Sequence, residues 1–260
     1  MKPYNILGTH FSLLSYRDAM TTIVRWRDHH ERHYVTLTPP YSVLMCRGDP
    51  ELNQATSRAA LTLPDGVGII LAAKLLRYPH HGRVTGPMLM LRLCDWGRAE
   101  GLRHFFYGGA PGVADAMAER LKQNYPGLDV AGTYCPPFRE LTPAEDTDIL
   151  GHINRAKPDI VWAGLGSPKQ EKWMIAHQGK IDAAALIGVG AAFDFHSGRV
   201  KWAPKWVRDL GLEWAYRLAT EPRRMWRRDA NSLVFLAGVL RQCVMAGNGR
   251  EHSQVSGEFM

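Results

Sequence analysis

Short apolar runs that stop at glycine or proline, each followed by a stretch of helical period, constrain this chain more than any other feature. Tyr34-Val35-Thr36-Leu37-Thr38 ends at Pro39-Pro40, and Leu61-Thr62-Leu63-Pro64 is closed by Asp65-Gly66. Arg103 to Tyr107 stops at Gly108-Gly109, Asp159 to Ala163 at Gly164-Leu165-Gly166, and Ala183 to Val189 at Gly188 and Gly190. β-Branched and aromatic residues suit a pleated, buried surface, and Gly and Pro punctuate it. A further strand is predicted over 128–132. Helical patterns are predicted over about 41–60, 67–76, 87–100, 111–124 and 143–156, and from 168 onward.

Strands alternating with helices of this length predict an α/β fold: a Rossmann-like, mostly parallel sheet with helices on both faces. Such sheets bind ligands beyond the carboxyl ends of their strands, where these turns lie. Glycines let backbone N–H groups approach a phosphate, and a following helix start favours an anion. Neither glycine turn fits GxGxxG with an acidic partner on the next strand, which disfavours a nicotinamide or flavin oxidoreductase.

Charge separates the last quarter from the rest. Residues 199–260 carry 11 Lys and Arg against 6 Asp and Glu, which is +5 of the chain's +7. Four of its eight tryptophans, Trp202, Trp206, Trp214 and Trp226, lie there too. Cations interleaved with Trp suit an anionic membrane surface. The same pattern could serve nucleic acid, or form a solvated helix face. Apolar runs such as Leu233 to Leu240 fall well short of the roughly 20 residues that a bilayer span needs. The N-terminus shows no secretory signal pattern. The expectation is a protein of the cytoplasm, with an α/β body over 1–198 and a basic, Trp-rich helical appendage over 199–260.

Cys46, Cys94, Cys135 and Cys243 make no CxxC and no Cys/His ligand spacing, and there is no HExxH. No metal or other cofactor is expected. Asp146-Thr147-Asp148 reads as charge at a helix start rather than as a metal pair.

Asp65 follows a strand and precedes a helix. Asp there is commonly an N-cap, but it is also a carboxylate at the binding edge, able to act as a general base. Arg83, in Gly82-Arg83-Val84-Thr85-Gly86, could hold a phosphate or be a surface charge. Lys169, Gln170 and Glu171 are first-turn polar residues, with Glu171 favoured by the helix dipole.

In combination these segments are distinctive. PDGVG, RVTG, FFYGGAPGV, GLGSPKQEKW, GVGAAFDFHSG, APKW and GLEWAYRLATEPRRMWRR, in that order from about Thr36 to Arg228, resemble the WecG/TagA/CpsF family, glycosyltransferase family 26. The resemblance implies an inverting, metal-independent enzyme. It would move a sugar from a UDP-sugar donor to a polyprenyl-diphosphate-linked acceptor at the inner face of the membrane. Asp65 would be the general base. Thr36, Thr38, Arg83, Gly108, Gly109, Gly166, Gln170 and Glu171 would bind substrate, and Arg217, Arg224 and Arg227 would complete the catalytic set. Partners would be the donor, the acceptor and an anionic membrane surface, not nucleic acid; assembly as a homo-oligomer is left open. A non-catalytic accessory subunit is the alternative that Asp65 argues against. The family's Thr-x-Asn at the first strand end is here Thr36-Leu37-Thr38-Pro39-Pro40, without the Asn. An amide reads sugar hydroxyl or acetamido groups, so both a plain hexose and an N-acetylhexosamine remain open as the transferred sugar.

Overall fold

A computed structural model describes residues 3–255; the side chains of 224, 226–230 and 246–255 lie outside the description. The chain opens with a hairpin, β1 (Tyr4–Ile6) and β2 (Thr9–Phe11), and helix α1 (Tyr16–Asp28). It continues through β3 (His33–Thr38), α2 (Pro40–Met45), α3 (Pro50–Ser57), β4 (Leu61–Pro64), α4 (Val67–Leu75) and α5 (Gly86–Trp96). Next come β5 (Arg103–Gly108), α6 (Val113–Asn124), β6 (Asp129–Tyr134), α7 (Pro143–Ala156) and β7 (Ile160–Gly164). The sequence ends with α8 (Lys169–His177), β8 (Ala185–Gly188), α9 (Ala192–Ser197), α10 (Lys205–Asp209), α11 (Glu213–Thr220) and α12 (Pro222–Val255).

Six strands form one parallel sheet in the order β4-β3-β8-β7-β5-β6. Five of its strands are buried on both faces, as is usual for parallel strands, and the edge strand β6 is half-buried. Val35, Leu63, Phe106, Trp162 and Ile187 pack beneath α1, α5, α6 and α9. Their alternating neighbours Tyr34, Phe105, Val161 and Leu186 pack with Ile149 and Ile153 of α7 and Met174 of α8. Fully buried His104 sits in this sheet with Nδ1 accepting from Trp162 Nε1 at 3.0 Å. Its burial pulls the ring pKa down to about 3, so it stays neutral.

Two expectations are corrected. The helix predicted over 41–60 is two helices, because Gly48-Asp49-Pro50 breaks it. Asp49 accepts from Leu52 N–H at 3.0 Å as an N-cap, and Pro50 opens α3. Nothing was predicted before Tyr34, yet the hairpin and α1 are well formed. Ser15 and Asp18 make a capping box at the start of α1.

The sheet closes with β8, and among the described residues every element after α9 is a helix. These last helices are packed onto the body. Phe235 and Val239 of α12 are buried with Ile6 and Phe11 of the hairpin, Val43 of α2 and Ile69 of α4. Gln242 fastens the same contact, accepting from Leu7 N–H at 2.9 Å and donating to the Asn5 carbonyl at 3.0 Å. No helix among the described residues is long and apolar enough to cross a membrane.

Candidate active site

The strand order decides where a ligand crevice opens. From β5 the chain turns outward through α6 to β6, and from β7 it turns the other way through α8 to β8. These helices lie on opposite faces, so the adjacent ends of β5 and β7 form a topological switch point. Gly108-Gly109 and Gly164-Leu165-Gly166 meet there. Gly109 N–H donates to the Gly164 carbonyl at 3.2 Å. A Cβ at Gly108, whose φ is +132°, would lie 2.7 Å from that carbonyl. Only glycine permits this approach, and it leaves a floor of peptide groups between the starts of α6 and α8. Gly166 holds the turn by accepting from Gln170 N–H at 2.9 Å.

Gln170 and Glu171, the first-turn residues of α8, are each 4% exposed. The Gln170 Nε2 donates to Glu171 Oε1 at 3.0 Å, and its Oε1 accepts from Gly190 N–H at 3.0 Å. The amide therefore joins the β7 turn to the β8 turn. Glu171 faces inward, and burial raises its carboxyl pKa.

The second half of the edge lies at β4. Asp65 N–H donates to the Thr38 carbonyl at 3.3 Å, and Val84 N–H donates to the Pro64 carbonyl at 2.9 Å. The second bond brings the Arg83-Val84-Thr85 loop beside Asp65. Tyr16 of α1 reaches the same place, its hydroxyl accepting from Thr85 N–H at 3.0 Å. Burial raises the phenol pKa, and the charges of Asp65 and Arg83 both act on it. Sequence reasoning missed Tyr16. The only local signal was the Ser15 cap before it, which marks a helix start and not a site.

Thr36 lies within β3 and Thr38 at its carboxyl end beside Pro64, and both are buried. Thr38 Oγ1 donates to Thr36 Oγ1 at 3.4 Å, Thr36 Oγ1 to Thr62 Oγ1 at 3.3 Å, and Thr62 Oγ1 to the Thr56 carbonyl at 3.2 Å. The three hydroxyls form a buried chain under α3.

Arg83 donates from Nη2 to the carbonyl of Arg208 in α10, which ties the active edge to the C-terminal helices. Arg208 in turn lies 3.6 Å over the Trp202 ring. Trp202 donates from Nε1 to Glu213 Oε1 at 3.2 Å and stacks on Phe195 of α9 at 5.9 Å. Arg217 joins this cluster, its guanidinium 5.5 Å from the Phe195 ring centre and its Nε 3.9 Å from Glu221 Oε1. Glu221, with φ −131° and ψ 55°, separates α11 from α12, which starts at Pro222. Arg217 and the pair Arg224 and Arg227 thus belong to different helices; the side chains of the pair lie outside the described residues.

Asp146-Thr147-Asp148 lies inside α7, where both Asp146 carboxylate oxygens approach His177 Nε2, at 3.0 and 3.1 Å. Among the described residues no three His, Cys, Asp or Glu side chains gather in a way that could hold a metal ion. A surface hollow lined by Arg17, Trp96, Arg98 and Glu100 lies at the opposite, amino end of the sheet and contains none of the predicted residues.

Comparison with known proteins agrees with this arrangement. The model of the glycosyl transferase WecG/TagA/CpsF family matches residues 4–249. A relative from Bacillus spizizenii (strain ATCC 23059 / NRRL B-14472 / W23), named N-acetylglucosaminyldiphosphoundecaprenol N-acetyl-beta-D-mannosaminyltransferase, is 33% identical over 193 residues, covering 74% of this chain and 73% of its own. A protein of the same name from Bacillus subtilis (strain 168) is 30% identical over 224 residues, covering 83% and 85%. One from Staphylococcus aureus (strain NCTC 8325 / PS 47) is 29% identical over 171 residues, covering 66% and 65%. The chain belongs to the WecG/TagA/CpsF family and is a glycosyltransferase.

Proposed function

We propose that this member of the family is an inverting transferase that moves a hexose or N-acetylhexosamine from a UDP-sugar to a polyprenyl-diphosphate-linked saccharide, working as a peripheral protein on the membrane surface. The names of its relatives support the acceptor class and favour an N-acetylmannosamine-type sugar.

The observation that carries this reading is the division of the sheet's carboxyl edge. The glycine floor at β5 and β7 suits a diphosphate. Asp65 stands at β4, three strand spacings from β7, or about 14 Å. An extended nucleotide sugar spans such a distance, with its sugar toward Asp65 and its diphosphate toward the glycines. Asp65 takes the proton of the acceptor hydroxyl as that oxygen attacks the anomeric carbon. The bond from that carbon to the diphosphate oxygen breaks on the opposite face, its electron pair leaves with UDP, and the configuration inverts. Arg217, with Arg224 and Arg227, neutralises the leaving diphosphate, a task suited to a guanidinium fork. Arg83 couples this edge to the C-terminal helices, whose exposed Trp206, Trp214 and Leu233 meet lipid.

The test is UDP release from a panel of UDP-sugars, with and without a lipid-linked acceptor and with and without EDTA. One UDP-sugar should support acceptor-dependent release that survives chelation. Release dependent on added magnesium or manganese, or release unaffected by the acceptor, would refute the scheme.

A further inference from the structure

Gln170 and Glu171 leave each other no choice of orientation. The Gly190 N–H can only donate, so the Gln170 atom 3.0 Å away is the carbonyl oxygen Oε1. The amide nitrogen then faces Glu171, whose Oε1 accepts from it at 3.0 Å. The partners, rather than any convention, determine which way the amide points. Gly188 closes the third side, because a Cβ there would lie 2.9 Å from Gln170 Nε2. The Glu171 carboxyl is buried, with the Ser167 hydroxyl and the buried thiol of Cys46 close enough to act on it.

We infer that Glu171 is a positioning residue for the donor site: by accepting from Nε2 it locks the Gln170 amide, and the locked amide holds the Gly188-Val189-Gly190 turn at the crevice. The inference rests on reading the crevice as the donor site. Glu171 touches no ligand in this role. A structural function alone, such as a carboxylate favoured in the first turn of α8, would affect stability without regard to Gln170.

The experiment uses the full chain and UDP as the probe, with calorimetric binding, donor KM, kcat and thermal melting measured for each variant. Glu171→Leu removes the acceptor and should weaken UDP binding and raise donor KM about tenfold. Glu171→Gln, whose amide oxygen can still accept, should restore both. In a Gln170→Ala background, Glu171→Leu should add nothing further. Gly188→Ala crowds the amide from the other side and should reproduce the loss with the carboxyl intact; it carries the test if Glu171→Leu does not fold. Wild-type UDP affinity in Glu171→Leu, or in Gly188→Ala should the first not fold, would overturn the proposal. So would losses that multiply in the double variant. Wild-type binding and turnover in Gln170→Ala would instead remove the donor-site reading on which the proposal stands.

Discussion

The sheet and the long C-terminal helix use their apolar side chains in opposite ways. In β7, Ile160, Val161, Trp162 and Ala163 are all 0% exposed, on both faces. Helix α12 buries Met225, Phe235 and Val239 but leaves Leu233 74%, Val244 63% and Met245 64% exposed. The sheet's apolar surface is consumed by folding. The helix has two apolar sides: one completes the core around the N-terminal hairpin, and the other faces outward, available to a lipid surface. On the proposed reading, the rigid edge holds the donor while the outward side of α12 brings the protein to its acceptor.

The sharpest way to test this division is to remove chemistry from the edge without touching the helix. Asp65→Asn keeps the side chain's shape, so melting and UDP binding should stay at wild-type values while transfer falls roughly 10²–10⁴-fold. Turnover near wild type would exclude Asp65 as the base.

The next largest effect is expected on the inner side of α12. Phe235 is 2% exposed, and Phe235→Ala should cost about 3–5 kcal/mol in denaturant unfolding. A loss below about 1 kcal/mol would mean that the helix is only loosely docked.

The outer side should behave in the reverse manner. Leu233→Glu combined with Val244→Glu should lower partitioning to anionic vesicles at least about tenfold, with stability changed by no more than about 0.5 kcal/mol per site. Wild-type binding should also weaken as salt rises, because screening acts on exposed cations. Equal vesicle binding by the double variant would break the comparison outright.

The smallest effect concerns pH. Burial raises the Glu171 carboxyl pKa above its ordinary 4.5, so the folded protein holds that proton more tightly than the unfolded chain. Stability contributed in this way is complete below about pH 4.5 and is lost as pH rises through the folded value. Glu171→Gln removes the titration. Its stability relative to wild type should therefore improve as pH rises above about 4.5, as measured by melting in a pH series. A flat difference would show that the carboxyl is solvated.

Strands β3 to β8 and most of the helices between them were legible because each buried run is bounded by its own Gly or Pro. The glycine edge was legible for the same reason. Tyr16 was not, since nothing near it in the chain differs from an ordinary helix start, and its partner Thr85 is 69 positions away. Arg83 read as a phosphate ligand or a surface charge, and its bond to a carbonyl 125 residues further on was not legible. Arg217 stands in α11 and Arg224 and Arg227 in α12, divided at Glu221-Pro222.

The sequence by itself determined the α/β class, the glycine-bounded carboxyl edge of the sheet and the family. Those depend on periodicity and on glycine and proline, whose backbone preferences act within a few residues. The tertiary structure alone decided which helix faces outward, that α12 closes the core beneath the hairpin, and that Tyr16 and Thr85 stand beside Asp65. Such contacts join segments far apart in the chain, and side-chain patterns specify that a surface must be buried but not which distant surface will cover it.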